Sequence, residues 1–282
     1  MNLINKLKQQ NLFSYNEQLI VDYLLAHPER SLKMSIYELA TQTHSSTSTI
    51  VRLCKRCELS GFKEFKIVFA RDLENYYQQV KNIDANNPFD QQDTDLMIAN
   101  KIAKLTSETV MTTQRLLSDH KLKHATEMLL AAQNIYAIGV SGNFIRLRDF
   151  QLKLLRIGYC IRTFDLQAEQ YYLALNSHPQ DIALIVSYSG TTAEVVNDAK
   201  TFYQNHTPIL AITGDEHSPL AKYATELLLL PTHERTTYKV SNFSSQLAVE
   251  YLLNVLYSCI FNRNFEKNYL SQKPTPISKF DF

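Results

Sequence analysis

What this 282-residue chain lacks narrows it first. It has no apolar run approaching the length that crosses a bilayer. The opening residues, Met1-Asn-Leu-Ile-Asn-Lys6, carry no apolar signal core. The expectation is a soluble, cytoplasmic protein with no membrane partner. It has no excess of either charge: 29 Lys and Arg face 28 Asp and Glu, a net charge of +1. A whole-molecule field therefore cannot attract nucleic acid, and any basic surface must be local. It has no G-x-x-x-x-G-K-[ST] run, which excludes a P-loop. Cysteine is scarce, with four residues at 54, 57, 160 and 259. The pair Cys54-Lys-Arg-Cys57 has a spacing used by zinc and redox sites. No second pair stands at ligand spacing, however, and no strand precedes the motif. Ile50, Leu53, Cys54 and Cys57 instead form an i, i+3, i+4, i+7 stripe, so both thiols are expected in a core. No metal or cofactor is expected. What is present is ordinary globular material, 45% hydrophobic and 20% charged, long enough for two domains.

The most informative stretch is Ile182-Ala-Leu-Ile-Val-Ser187-Tyr-Ser189-Gly190-Thr191-Thr192-Ala-Glu194. An apolar run without alternation stops at hydroxyls grouped around one glycine, and a helical pattern follows. This reads as a buried parallel strand, a tight turn and a helix start. Such a turn gathers hydroxyls and free N–H groups where the helix dipole favours an anion. With no lysine nearby in the sequence, it suits a dianionic phosphate ester. Taken alone the residues are equally ordinary loop and cap residues. A second turn, Gly139-Val-Ser141-Gly142-Asn143, follows another short strand and tips the balance towards phosphate.

The expected strands are 135–139, 159–164, 182–187, 208–213 and 226–231, separated by helices as in a doubly wound parallel sheet. Helices are expected over about 96–117 and 122–132 ahead of the sheet, and over about 244–261 behind it. Residues 81–95 are rich in Asn, Asp, Gln and Pro and read as a linker. The polar, proline-bearing end, 266–282, reads as an irregular tail.

Residues 1–80 read as helical. Ser14-x-x-Glu17 and Ser35-x-x-Glu38 are capping boxes, and Pro28 ends the first of these helices. Thr43-His-Ser-Ser46 is a polar turn, and Ser46 caps a helix running to about Cys57. A basic helix follows from about Lys63. Two short helices across a tight polar turn suggest a helix-turn-helix. Ser46, Thr47, Ser48 and Thr49 form a small N-terminal turn able to approach DNA, and Arg52 is placed to reach a base edge. Lys55, Arg56, Lys63, Lys66 and Arg71 are candidate phosphate contacts. From Ser46 to Arg71 six Lys and Arg face two acids, an excess the total conceals. Many helical pairs with polar turns look alike, so spacing alone leaves DNA binding open.

Ser187-Tyr-Ser-Gly-Thr-Thr192, Gly139-Val-Ser-Gly142 and Thr213…Ser218-Pro-Leu-Ala221 together resemble the sugar isomerase (SIS) domain. Ile36-Tyr-Glu-Leu-Ala40, Thr49-Ile-Val-Arg52 and Gly61-Phe62-Lys-Glu-Phe-Lys66 resemble the DNA-binding domain of RpiR-type bacterial regulators. In this order the two cover nearly the whole chain: a helix-turn-helix domain over 1–80, and a SIS domain with a five-stranded parallel sheet over 96–265. The resemblance implies a regulator of carbohydrate genes that binds double-stranded operator DNA and a phosphorylated sugar, as a homodimer or homotetramer. It implies that Ser187, Ser189, Gly190, Thr191 and Thr192, with Ser141, Gly142 and Asn143, hold the phosphate. Two positions depart from the pattern. Ser45 stands where the turn is usually apolar, and Glu58 where a glycine commonly ends the recognition helix.

The competing reading is a sugar-phosphate isomerase, which needs a base beside a carbonyl. Glu194, His217, His233 and Glu234 are candidates, and Glu234, just past the last strand, is also a candidate sugar contact. None forms a recognisable acid–base pair, and an isomerase has no use for a helix-turn-helix. The expectation is a regulator rather than an enzyme.

Overall fold

The computed structural model describes residues 3–79, 83–235 and 237–271. The chain divides into two units, Met1–Asn82 and Ile83–Phe282.

Among the described residues the first unit has helices and no strand: α1 (Leu3–Leu7), α2 (Tyr15–Ala26), α3 (Pro28–Lys33), α4 (Ile36–Gln42), α5 (Thr47–Arg56) and α6 (Phe62–Gln79). Local chemistry starts each of the three expected helices. Ser14 donates through its N–H and hydroxyl to Glu17 ahead of α2. Ser35 and Glu38 exchange reciprocal bonds ahead of α4, and Ser46 Oγ accepts from Thr49 N at α5. Pro28 ends one helix but also opens α3 at its first position, where a missing N–H costs nothing. Ile20, Leu24, Leu39, Ile50, Leu53, Cys54, Phe65 and Phe69 form the core. Cys54 and Cys57 are buried free thiols.

Two left-handed residues frame α5. His44 has φ 47° and Glu58 φ 65°. At each, the following residue reaches back into the helix: Ser45 N to Ala40 O (2.9 Å) and Leu59 N to Cys54 O (3.0 Å). These are Schellman ends formed without glycine. At the second, Lys6 lies 2.8 Å from the Glu58 carboxylate.

The second unit starts with α7 (Asp95–Arg115) and α8 (Asp119–Ala131), then alternates β1 (Ile135–Ile138), α9 (Gly142–Leu155), β2 (Ile161–Arg162), α10 (Gln167–Leu175), β3 (Ile182–Val186), α11 (Ala193–Gln204), β4 (Ile209–Thr213) and β5 (Glu226–Leu229). The helices α12 (Phe243–Arg263) and α13 (Phe265–Ser271) close it. The sheet is all parallel, in the order β2-β1-β3-β4-β5. Alternate residues of each strand feed two cores. Ala137, Leu184, Val186 and Ile212 meet α9 and α12, while Tyr136, Ile185 and Ala211 meet α10 and α11. Both edges are guarded. β2 is two residues long, and Lys121 of α8 donates to Leu227 O of β5 at 3.1 Å.

The chain continues from β1 to one side and returns as β3 on the other. The ends of β1 and β3 therefore flank the switch point where ligands collect in such sheets.

Two boundaries differ from the sequence reading. The stretch 81–95, read as a linker, folds into the second unit from Ile83 onward: Asn86 is buried and bonded to the 233–240 region. Part of the expected tail is helical. Phe265 meets Phe261 edge-on at 5.7 Å and stacks on Tyr269 at 5.8 Å, and Asn268 Nδ2 donates to Phe261 O. These i, i+4 aromatics support α13, whereas residues 272–282 lie outside the described residues. Among the described residues no helix is long and apolar enough to cross a membrane.

Candidate functional site

Each expected turn sits at the carboxyl end of its strand and opens a helix. Ser187 directly follows β3, and Thr192 stands at the N-cap position of α11 and Ser141 at that of α9. The two turns face one cavity of about 220 Å³. Its walls are Val140, Ser141, Gly142 and Asn143 from the first turn, Ser187, Tyr188, Ser189 and Thr192 from the second, and Lys239, Asn242, Ser245 and Gln246. Ser141 holds φ 53°, ψ −128°, a strained backbone for a residue with a side chain. Such strain collects at binding sites, where surrounding structure enforces it.

The second turn is built to hold its hydroxyls in place. Ser187 Oγ and Thr192 Oγ1 lie 3.3 Å apart, and neither α9 nor α11 has a side-chain cap on its first N–H groups. Thr191 donates through its N–H and its hydroxyl to Ser189 Oγ. Thr191 is exposed and lies outside the cavity wall, so it orients Ser189 instead of lining the site. Gly190, at φ 65°, also lies off the wall. It packs on Ser218 and Thr213. Only a residue without Cβ allows that approach. Thr213 is fully buried and donates to Tyr188 O, which fixes the turn from below.

Glu234 is not brought into the cavity. Its buried carboxylate accepts from Ser244 N, Ser245 N and Ser245 Oγ, capping α12, and lies 3.3 Å from Lys239 Nζ. Negative charge at a helix N-terminus is a stabilising use of an acid. Glu194 and His217 are exposed, and His233 offers its backbone carbonyl to Asn86.

Four wall residues come from outside the two expected turns. Lys239, only 14% exposed, supplies the nearby cation that the motif itself lacks. It lies over the Tyr188 ring, 5.8 Å from the centroid. Gln246 donates to Asn143 Oδ1 at 2.9 Å while its buried Oε1 has no partner among the described residues. Asn242 and Ser245 complete the wall. Tyr188 also ties the turn to the segment carrying Lys239: its hydroxyl donates to Pro231 O (2.9 Å) and accepts from Glu234 N (3.1 Å). Burial raises the phenol above its ordinary range, so it stays protonated to donate.

In the first unit, the residues expected to face DNA lie on α5, on its cap and on the start of α6, and all but three of them are free at the surface. Ser46, Ser48, Arg52, Lys55 and Lys63 are exposed, with Thr47 half-buried. Thr49 is buried and bonded to Ser46, which makes it part of the cap. Lys66 donates to Met34 O at 3.0 Å, at the end of α3. Arg56 donates to Leu12 O at 2.8 Å. Behind the helix stands Glu17, fully buried, with Arg56 Nε at 3.4 Å and Arg52 Nε at 3.7 Å. Burial raises its carboxyl, but the Ser14 bonds and the charges of Arg56 and Arg52 outweigh it and hold the group below the usual carboxylate range.

Residues 1–76 match the rpiR-family helix-turn-helix domain, and residues 128–256 match the SIS domain. The HTH-type transcriptional regulator RpiR of Escherichia coli K12 is 26% identical over 271 residues, 96% of this chain and 89% of the relative. The HTH-type transcriptional regulator HexR of Pseudomonas aeruginosa is 27% identical over 220 residues, 78% of this chain and 75% of the relative. Among solved structures, the Vibrio vulnificus NanR protein complexed with ManNAc-6P aligns over 96% of both chains, with 26% identity and a TM-score of 0.58.

Proposed function

Because the chain belongs to the RpiR-type transcriptional regulators, which set a helix-turn-helix domain ahead of a SIS domain, we propose that its cavity senses a phosphorylated sugar and its α5 reads operator DNA. One observation carries the first half: two hydroxyl-bearing turns from different strands converge on a single cavity. The phosphate sits against Ser187, Ser189 and Thr192, at the N-terminus of α11, with Ser141 opposite. The hydroxyls and first-turn N–H groups donate to the dianion and the helix dipole favours it. Lys239 adds a charge-assisted contact. Asn143, Asn242 and Gln246 face the sugar. Bonds to a charged group contribute roughly 1.5–3 kcal/mol each, enough in number for micromolar affinity after ordering costs. The NanR complex, which holds ManNAc-6P, supports a phosphorylated sugar as the class of effector.

The reading is of a sensor, not an isomerase. The best-placed acid, Glu234, spends its carboxylate on α12 and Lys239. On the DNA side, the N-terminal turn of α5 enters the major groove with Arg52 towards base edges and Lys55 and Lys63 towards phosphates. A homodimer or homotetramer in the cytoplasm presents two such helices to paired half-sites.

Calorimetry with hexose 6-phosphates, hexosamine 6-phosphates and pentose 5-phosphates tests this. At least one binds, and Ser189→Ala or Thr192→Ala weakens it about tenfold or more with the fold intact. Unchanged affinity in both variants, or no binding by any member of the panel, overturns the assignment.

A further inference from the structure

The segment that brings Lys239 to the cavity is gripped from two sides. On the cavity side, the Tyr188 hydroxyl holds Pro231 O and Glu234 N. On the other side, Asn86 holds the same few residues. Its Nδ2 donates to His233 O (3.2 Å), its Oδ1 accepts from Arg235 N (2.6 Å), and its carbonyl accepts from Val240 N (2.9 Å). Asn86 is 7% exposed, and Asp84 fixes its side chain through Nδ2 at 2.7 Å. Three residues farther on, Phe89 packs edge-on to Phe243, the first residue of α12. Asn86 lies three residues after Ile83, where the second unit begins and the covalent chain arrives from the first.

We infer that Asn86 is a positioning residue: through its bonds to the 233–240 region, cavity occupancy acts on the stretch that leads to the DNA-binding unit. This rests on the phosphate reading above. Lys239 is shared between Glu234 and the cavity. A dianion beside Ser189 competes with the Glu234 carboxylate for that ammonium. Glu234, Arg235 and Lys239 lie within six residues of one another, so a shift at Lys239 is felt at the N–H groups that Asn86 holds. Three bonds from one buried residue convert that shift into a changed setting of the chain at 83–89. Linkage then requires that DNA binding alter phosphate affinity by the same factor.

The test uses the full chain, inorganic phosphate as the probe, chloride at equal ionic strength as the control, and a duplex selected from a random pool. In the wild type, phosphate changes the DNA dissociation constant at least about fivefold, in either direction. In Asn86→Ala the change falls to within about 1.5-fold of none, while calorimetric phosphate affinity stays within about threefold. Asn86→Ala with the wild-type ratio overturns the inference. Should that variant fail to fold, hydrogen exchange of the wild type decides. Phosphate alters exchange at Arg235 and Val240, whose N–H groups Asn86 accepts, and unaltered exchange there overturns the inference. Failure of the wild type to bind phosphate at all overturns the cavity reading, and this with it. Binding without coupling overturns this alone.

Discussion

Gly190 and Ser218 are packed so closely that a β-carbon at Gly190 would lie 2.3 Å from Ser218 Oγ and 2.8 Å from Thr213 Oγ1. The glycine also holds φ 65°. Gly190→Ala therefore meets both a clash and a left-handed backbone, at a combined cost of roughly 2–4 kcal/mol. Thermal unfolding should drop accordingly, and phosphate affinity should fall because Ser189 is displaced. A variant of wild-type stability would show that the turn is built differently.

Lys239→Ala should weaken binding and stability together. The α12 cap through Glu234 survives, but its buried carboxylate loses a cation 3.3 Å away, so the melting temperature falls with the fold retained. Phosphate-ester affinity should fall by about tenfold or more, from the loss of one charge-assisted bond. Calorimetry at two salt concentrations checks it, and equal affinity in variant and wild type would remove Lys239 from the site.

On the DNA side, the structure divides the basic residues into exposed and occupied. Arg52→Ala should cost about 1–3 kcal/mol and relax base preference. Lys55→Ala should reduce the salt slope by about one. Lys66→Ala should leave that slope unchanged, because its ammonium serves Met34 O. Fluorescence anisotropy across a salt series distinguishes the three.

Asp198 on α11 sets a pH dependence. Burial pushes its carboxyl up to about 6, with Glu194 adding to the rise. The folded state then holds a proton that the unfolded state has released, so this group's contribution falls as pH rises from the ordinary aspartate range through about 6. Asp198→Asn should stabilise by about 1–3 kcal/mol above that window, with the gain vanishing near pH 4. Denaturant titrations at both ends of the range measure it.

Thiol reactivity tests the core of the first unit. Burial pushes Cys54 up to about 12, aided by Cys57, and pushes Cys57 up to about 11. At pH 8, Cys160, which is exposed, should react first with a disulfide reagent. Cys54 and Cys57 should wait for unfolding. Rapid modification of all four would contradict the packing described.

The sequence reading was strongest where the determining chemistry is local. Ser14, Ser35 and Ser46 mark α2, α4 and α5 because a cap involves residues three apart. The strands β3 and β4 were legible because a strand buried on both faces shows no alternation. It failed where partners are distant. Lys239 and Gln246 come from an irregular segment and a helix about fifty residues beyond Ser189, and no periodicity marks either. Residue type also misled. Thr49 has the small hydroxyl side chain of a DNA contact, yet its place one turn into α5 turns it towards the core. Glu234 stands past the last strand, as a sugar contact would, yet α12 claims it. Glu58 shows the opposite outcome: the left-handed exit that glycine would ease forms anyway, in a chain that closes both Schellman bonds.

The guarded margins of the sheet bear on how copies of this chain meet. At one margin two residues offer too short a template, and at the other the Lys121 ammonium occupies a carbonyl that a newcomer would need. Growth by adding foreign strands, the usual road to fibres, has little to build on. Helical surfaces, where side chains select the partner, leave more room for a specific contact than the backbone of these margins does.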